Sequence, residues 1–438
     1  MNKYSTGFYT LMEEAGILSS KSFSLYIKDV IGFGNIQDLN LDGFSWDPVS
    51  SLTFDYEQLI VSNRLKVMAT YVDKDSEAIP FGTEGFEASR GVVPRQKARF
   101  IWDEDDYRKY LDAVQKLDFQ NTTAKQYALD LLFNGLTDIK NAHELSMTYQ
   151  RDQMVSNREL YLTADNNPRG IKGLHFYAMV PEANVNTLVG NARWYTDPEN
   201  KDTAHEGSAS DPVKDMRAIV RAMKRKGWKN IILEVDEQSW LEDMDHSKWR
   251  TAIGYKLRSD LILTPANDAN ALAVGNNADD DEVKQMFAKI IGIPLGNIKF
   301  REGLAAVEKL DGKGPEAKLV RTSMRTFNSN TYVFYPAGPL GTIKSVLPLV
   351  PDSKAMYATF FGGKGLIQYE YDAKAKTQDW WSELTALCVP NRPQEMFYLI
   401  TIGPAGSGSG SGSGSAAGSG SGSAAGSGSA ASNGGQSA

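Results

Sequence analysis

In the run RLKVMATYV, residues 64–72, Leu65, Val67, Ala69 and Tyr71 alternate with Arg64, Lys66, Met68 and Thr70. A period of two is the pattern of a half-buried strand. A polar segment punctuated by Pro80, Gly82, Gly85, Gly91 and Pro94 follows, and the chain returns through QKARFIW, residues 96–102. The pattern predicts two strand runs enclosing an extended arm that buries little. Next, Asp103 can cap a helix with Glu104, Asp105 and Asp106 in its first turn and Tyr107, Leu111, Val114 and Leu117 on its apolar face. The period then becomes three and four: Ala128, Leu131, Leu132, Leu136, Ile139, Ala142, Leu145 and Tyr149 predict one helix over residues 122–158. At 1.5 Å per residue it runs about 50 Å, the length of a strut.

The clearest local unit spans residues 210–244. Asp211 can cap a helix, Pro212 suits its first position, Val213, Met216, Ile219, Val220 and Met223 share a face, and Gly227 ends it. Lys224, Arg225 and Lys226 then sit at the negative end of the helix dipole. A buried strand at residues 231–235 and a helix after Asp236 follow, and the pairing recurs as a helix near 280–291 and a strand at 297–302. The second half therefore reads as an α/β unit. Residues 1–55 read as an arm with little regular structure.

The apolar window 332–351 is broken by Pro336, Gly338, Pro339, Gly341, Pro348 and Pro351, so no membrane segment is expected, and the N-terminus lacks the apolar core of an export signal. With 41% hydrophobic and 23% charged residues the composition is that of an ordinary soluble protein, and a net charge of -7 neither demands nor excludes a nucleic-acid partner, although it argues against a surface built to grip phosphates. A single cysteine, Cys388, excludes internal disulfides and fits a reducing cytosol. From residue 405 the chain is Gly, Ser and Ala with one Asn and one Gln, which predicts a disordered tail over 405–438.

Candidate chemistry adds little. Asp38, Asn40, Asp42 and Gly43 form half of a calcium loop, but Val49 stands where the closing Glu belongs, so an Asx-rich turn is expected. His143 and Glu144 begin a zinc motif that Met147 breaks, and they read as a helix surface pair. Residues 278–283, ADDDEV, read as a helix cap, and the glycines of 32–37 and 362–367 fit no phosphate loop. His175, His205 and His246 have no local triad partners, although a triad can assemble in space. No catalytic, cofactor or metal residue is therefore assigned. Trp380 and Trp381 read as core.

The arm carries the functional signal. Its outward leg is acidic, with Asp73, Asp75, Glu77, Glu84 and Glu87, and its return leg is basic, with Arg90, Arg95, Lys97 and Arg99. A two-stranded extension is marginal alone in water. In an isolated hairpin these charges would form a solvated face; the arm becomes stable when another subunit completes its packing, and in that case Glu84, Glu87, Arg90, Arg95, Lys97 and Arg99 are expected to make inter-subunit contacts.

Residues 85–111, GFEASRGVVPRQKARFIWDEDDYRKYL, resemble the loop-and-return signature of the lambda-like major capsid protein E family of tailed bacteriophages. The residues carrying it are Gly91, Pro94, Arg95, Lys97, Asp106, Tyr107 and Arg108. The order that follows is similar too: strut helix, helix–strand–helix over 211–250, the strand FYPAGPLGTIKSV, and a closing strand at 396–403. The resemblance covers about residues 55–404 and implies an α+β, Hong Kong 97-type capsid fold. Its parts would be an N-terminal arm (1–55), an extended E-loop with flanking strands (56–105), a peripheral domain with the spine helix (106–184), an axial domain (185–345) and a return through both (346–404).

It further implies a structural protein, not an enzyme, that assembles into hexamers and pentamers of an icosahedral head in the host cytoplasm and remains in the virion. The implied partners are a separate scaffolding protein, a portal protein, and encapsidated DNA held without sequence-specific binding. Lys74 and Lys97 are the loop lysines open to crosslinking, but nothing local supplies an acid catalyst and no crosslink is expected. An encapsulin-like compartment, an unrecognised enzyme in the α/β half and a monomeric binding module are the rival readings, and oligomer size separates them.

Overall fold

The computed structural model describes residues 39, 41–60, 87–102, 108, 122–258, 263–311, 318–349, 356–372 and 377–403. The strand expected at 64–72, most of the helix expected after Asp103, most of the N-terminal arm and the glycine-serine tail lie outside the described residues.

The strut is a single helix, α1 (Thr122–Ser156). From Ile139 onward its buried positions are Ile139, His143, Met147, Gln150, Arg151, Asp152, Met154, Val155 and Ser156; a stripe of three-and-four spacing runs from Ile139 to Val155, and the buried face widens around Arg151 and Asp152. That stripe packs on a six-stranded sheet made of β1 (Phe44–Trp46), β4 (Arg95–Trp102), β13 (Gly341–Ser345), β14 (Met356–Phe360), β15 (Gly365–Asp372) and β16 (Thr377–Pro390). β16 is long enough to serve both halves of the sheet: residues 377–385 pair with β4 and β15, and residues 386–390 with β13.

A second, five-stranded sheet runs in the order β7 (Val185–Thr187), β17 (Phe397–Ile400), β12 (Thr331–Pro336), β8 (Ile231–Asp236), β9 (Ile298–Arg301). Its strands alternate between two cores. On β12, Val333 and Tyr335 join the α1 core, while Tyr332 and Phe334 join a core built by α2 (Pro212–Arg225), α3 (Glu237–Met244), α4 (Ser247–Leu257) and α6 (Asp280–Ile291). A sheet buried on both faces reads as a continuous apolar run, as Thr331–Pro336 does. The Pro/Gly-rich stretch expected to be one strand is thus two: it leaves β12 at Pro336 and enters β13, in the other sheet, at Gly341. Smaller pairs are β2 (Asp55–Ile60) with β3 (Glu87–Val92), β5 (Glu159–Tyr161) with β6 (His175–Tyr177), and β10 (Leu304–Asp311) with β11 (Lys318–Arg325).

Capping follows the sequence closely. Asp211 accepts from the Lys214 N–H with Pro212 next, Asp236 accepts from Ser239, and Asp279 and Glu282 form a reciprocal capping box that ends at Gly292 in the left-handed region. α4 and α5 (Asp268–Asn276) cross so closely that a Cβ on Gly254 would lie 1.8 Å from the Ala271 carbonyl, and one on Gly275 would lie 1.9 Å from that of Arg250.

Between α1 and the five-stranded sheet lies a buried ionic cluster. Arg151 donates to Glu234 at 2.7 Å, to Asp152 at 2.9 Å and to the Asp42 carbonyl at 3.1 Å, and Arg301 reaches the same Glu234 oxygen at 2.9 Å. Tyr335 also donates to Glu234, and Thr326 donates to Asp152 at 2.6 Å. Burial pushes the Glu234 carboxyl up, but the two guanidiniums outweigh it and hold the group at about 2. His143 faces Ser382 at 2.7 Å, and burial lowers its pKa to about 4; burial does the same to His246.

Replacing Arg151 with Met strands a buried carboxylate and is expected to cost about 3–5 kcal/mol in urea unfolding. The R151M/E234M double variant should lose less stability than the sum of the two single losses, measurable as a double-mutant coupling. Acid exposes the same groups in two steps. Unfolded imidazoles take up protons near pH 6.5, whereas folded His143 and His246 do so only near 4, so stability falls as pH drops across that window. Two such groups set a maximum slope of about 2.7 kcal/mol per pH unit. Glu234 contributes stability that is present above its unfolded value and lost as pH falls toward 2. Chemical denaturation at a series of pH values reads both steps, and His143→Gln flattens the first.

Candidate inter-subunit surface

β4 lies on β16 with Arg95 opposite Thr385, Lys97 opposite Glu383 and Arg99 opposite Trp381. Strand alternation sends Gln96, Ala98 and Phe100 toward α1 and leaves Arg95, Lys97, Arg99 and Ile101 on the outward face. The inward side is fixed by Gln96 against the Met147 sulfur and by Ala98 and Phe100 against the α1 core. The outward side forms a basic row over an aromatic and acidic floor. Arg99 pairs with Asp379 at 2.5 Å, Arg95 approaches Glu383 at 3.9 Å and lies over the Phe54 ring at 5.0 Å, and Lys97 lies over the Trp381 ring at 5.6 Å. Lys97, Arg99, Glu370, Asp379 and Trp381 line an open recess of about 280 Å³. The Arg99 side chain remains 57% exposed despite its partner.

Three of the six residues expected at an inter-subunit contact are therefore together on one face. Glu87 and Arg90 lie on β3, across from Ile60 and Glu57 of β2, with only their backbone described, and Glu84, like Lys74, lies outside the described residues. Residues 73, 75, 77 and 84 of the acidic leg lie outside the described residues. The described carboxylate partners of the basic leg are Asp379 and Glu383, almost three hundred residues away, and only the alternation of DWWSE on β16 hints at them. A second exposed surface also went unforeseen. Val49, Leu52, Leu347 and Leu349 are exposed on two segments joined in parallel by a Ser51–Val346 bridge, an apolar patch of the kind partners cover.

The other sequence candidates are absorbed by structure. The Asp42 carboxylate, from the half calcium loop, pairs with Arg301 at 3.0 Å and Lys299 at 3.5 Å. His143 is not half of a surface pair: the α1 stripe turns it inward to Ser382, while Glu144 pairs with Lys140 at 3.6 Å. Trp380 is core and Trp381 only half-buried. Lys364, from the glycine-rich GGKGLI, is buried, reaching Ser50 at 2.7 Å and the Asp47 carbonyl at 2.9 Å. Cys388 is buried and free, and burial raises its thiol.

One triad-like set does assemble. Ser210 lies 3.0 Å from His246, and Glu206 lies 3.7 Å from the other ring nitrogen. Its polarity is wrong for nucleophilic catalysis. The Lys248 N–H donates to His246 Nδ1, which leaves the proton on Nε2, and the Ser210 hydroxyl donates to the Gly207 carbonyl. Ser210 and His246 are both sealed from solvent. Among the described residues no group of three or more His, Cys, Asp or Glu could hold a metal ion, and no helix is long and apolar enough to cross a membrane.

No protein-family model and no curated protein matches this sequence. Among solved structures, the chain is similar to a phage-related protein of Bordetella bronchiseptica RB50, at 12% identity and a TM-score of 0.41 over 84% of this chain and 95% of the other. It is also similar to a protein assigned as a capsid protein of a prophage of Escherichia coli CFT073, at 10% identity and a TM-score of 0.44 over 88% and 99%. An encapsulin of Synechococcus elongatus PCC 7942 is matched at 8% identity and a TM-score of 0.29 over 82% and 84%.

Proposed function

We propose that this chain is the major capsid protein of a tailed double-stranded DNA bacteriophage, with a Hong Kong 97-type fold, and that its function is to join copies of itself into an icosahedral head. The observation that carries this reading is the basic outward row of β4. It sits on the return leg of an extension that the body holds through β16, with its charged ends in solvent. The element order supports it as well. An extension is followed by a spine helix of 35 residues, an α/β unit, and strands that return to both sheets. In this reading residues 106–184 form the peripheral domain, 185–345 the axial domain and 346–404 the return, with 1–55 and 56–105 as N-terminal arm and E-loop.

Assembly then works by addition of modest contacts. Head-to-tail interfaces close copies into hexamers and pentamers, and ring-to-ring contacts close the shell. Each contact is weak enough to be corrected, and multivalency makes the whole stable. A scaffolding protein and a portal protein would guide closure. DNA would be enclosed without sequence-specific contacts.

Size-exclusion chromatography with light scattering, and negative-stain microscopy of the same fractions, tests the reading: particles tens of nanometres across, or five- and six-fold rings, are expected. A monodisperse monomer at every concentration, with scaffold present, overturns it. Two variants locate the contact. Replacing residues 77–86 with a short turn spares β3 and β4, and should leave the melting temperature within a few degrees while abolishing particles. The triple change R95A/K97A/R99A takes their cations from Asp379 and Glu383, whose side chains are only 12% and 10% exposed, so it should lower subunit stability in urea unfolding while leaving the subunit folded, and raise the concentration needed for assembly.

A further inference from the structure

The α/β unit is electrically two-ended. Asn297 donates to the Ile231 carbonyl, and Lys224 and Arg217 donate to the carbonyls of Gly292 and Ile290. These bonds gather the starts of β8 and β9 and the ends of α2 and α6 at one place. Arg221, Lys224, Arg225, Lys226, Lys229 and Lys289 stand exposed there. Residues 216–233 and 283–301 contain no Asp or Glu, and Arg221, Arg225 and Lys229 have no carboxylate partner among the described residues. Lys226 lies over the rings of Phe397, at 4.5 Å, and Trp228, at 5.7 Å.

At the other end of the same strands the sign reverses. Glu237 at the start of α3, Asp279, Asp280, Asp281 and Glu282 at the start of α6, and Glu302 after β9 lie together, with Lys284 held by Glu237 at 2.7 Å. Glu302 lies beside Glu237, and that neighbouring carboxyl pushes the Glu302 carboxyl up. The six residues of β8 and the twelve of α6 set the two ends about 17–20 Å apart.

Helix dipoles explain charges in the first and last turns. They do not explain Lys229 in the connecting loop, nor a Glu302 placed against another carboxylate. Carboxylates crowded this way are relieved by external cations, and the same unit carries a matching set at its far end. Like ends repel, so a two-fold contact through either end is disfavoured, whereas unlike ends attract and generate a heterologous, head-to-tail contact.

We propose that the basic end of one copy's α/β unit seats on the acidic end of the next copy's, and that this contact sets the direction in which copies add around a ring. The proposal rests on the shell reading and adds which surfaces meet. It is tested with two charge-reversed chains. R221E/R225E/K229E has two acidic ends, and D280K/D281K/E302K has two basic ends. Each alone should stay unassembled at concentrations where the parent assembles, and an equal mixture, in which the two chains must alternate, should recover assembly into even-membered rings. If the basic-ended chain fails to fold by circular dichroism, the neutral variant D281N/E302Q replaces it, and should raise the assembly concentration about tenfold and weaken its salt dependence.

Variants that assemble alone as the parent does, or folded variants that stay apart when mixed, overturn the contact and leave the shell reading standing. A basic-end variant that assembles normally but loses retention of a short DNA duplex also overturns it, and makes that end a nucleic-acid surface. If the parent itself never assembles, the shell reading fails. The contact is then judged by carbodiimide crosslinking of the concentrated mixture: peptides joining Lys289 of one chain to Asp280 or Asp281 of the other support it, and their absence overturns it.

Discussion

Glu234 is the group on which the arrangement of this chain depends. It sits in the middle of a strand whose neighbours Leu233 and Val235 point into the helical core, so strand alternation aims its carboxylate the other way, at the spine helix. A carboxylate there is tolerated only if cations reach it, and Arg151 from α1 and Arg301 from β9 do. Burying such charges costs several kcal/mol each, which the pairing offsets only with good geometry and few orphan hydrogen bonds. The cluster is therefore a poor source of net stability. It is a strong constraint on position, because a slip of α1 along the sheet would leave a charge buried and unpaired.

That constraint propagates outward. Arg151 also holds the Asp42 carbonyl, and Asp42 in turn pairs with Arg301 and Lys299, so the segment leading into β1 is registered against the same point. One turn and more N-terminal on α1, Met147 and His143 meet the sheet that carries β4, where Gln96 and Ser382 approach them. The outward row Arg95, Lys97, Arg99 is thus displayed by a rigid support. A flexible arm would lose ordering entropy on every contact, whereas a strand already laid on β16 meets a partner with most of that cost already met.

Local signals were readable from the chain where short-range physics decides. The Asp211 and Asp279 caps, the period of α1 and the α6–β9 pair follow from propensity, dipole and spacing, and the structure has them where they were expected. What was missed is long-range. Nothing in FYPAGPLGTIKSV announces that its two halves belong to different sheets, because each half alone is a good apolar strand. His143 belongs both to a broken metal motif and to the α1 stripe, and the stripe alone decides that it points inward to Ser382. The partners of Arg95 and Arg99 were invisible: Asp379 and Glu383 become neighbours only when β16 closes against β4, and no local pattern encodes that pairing. The acidic run at 279–282 reads as a cap, and only the parallel strands bring it to the same end as Glu237 and Glu302.

The cations of this chain then fall into three roles set by burial. Arg151 is fully enclosed and fixes one arrangement. Arg99 keeps one carboxylate partner and more than half its surface in solvent. Arg221, Arg225 and Lys229 have no carboxylate partner among the described residues. The free energy available for a contact between copies rises along that series, because a charge already desolvated and paired has nothing left to offer, and an exposed one has. Exposed pairs contribute at most about 1 kcal/mol each, too little to hold two copies and enough, repeated around a ring, to hold many. A subunit that confines its strong ionic interactions to the interior and leaves weak ones outside keeps its own fold fixed while any association stays reversible, the condition that the proposed shell would need to close correctly.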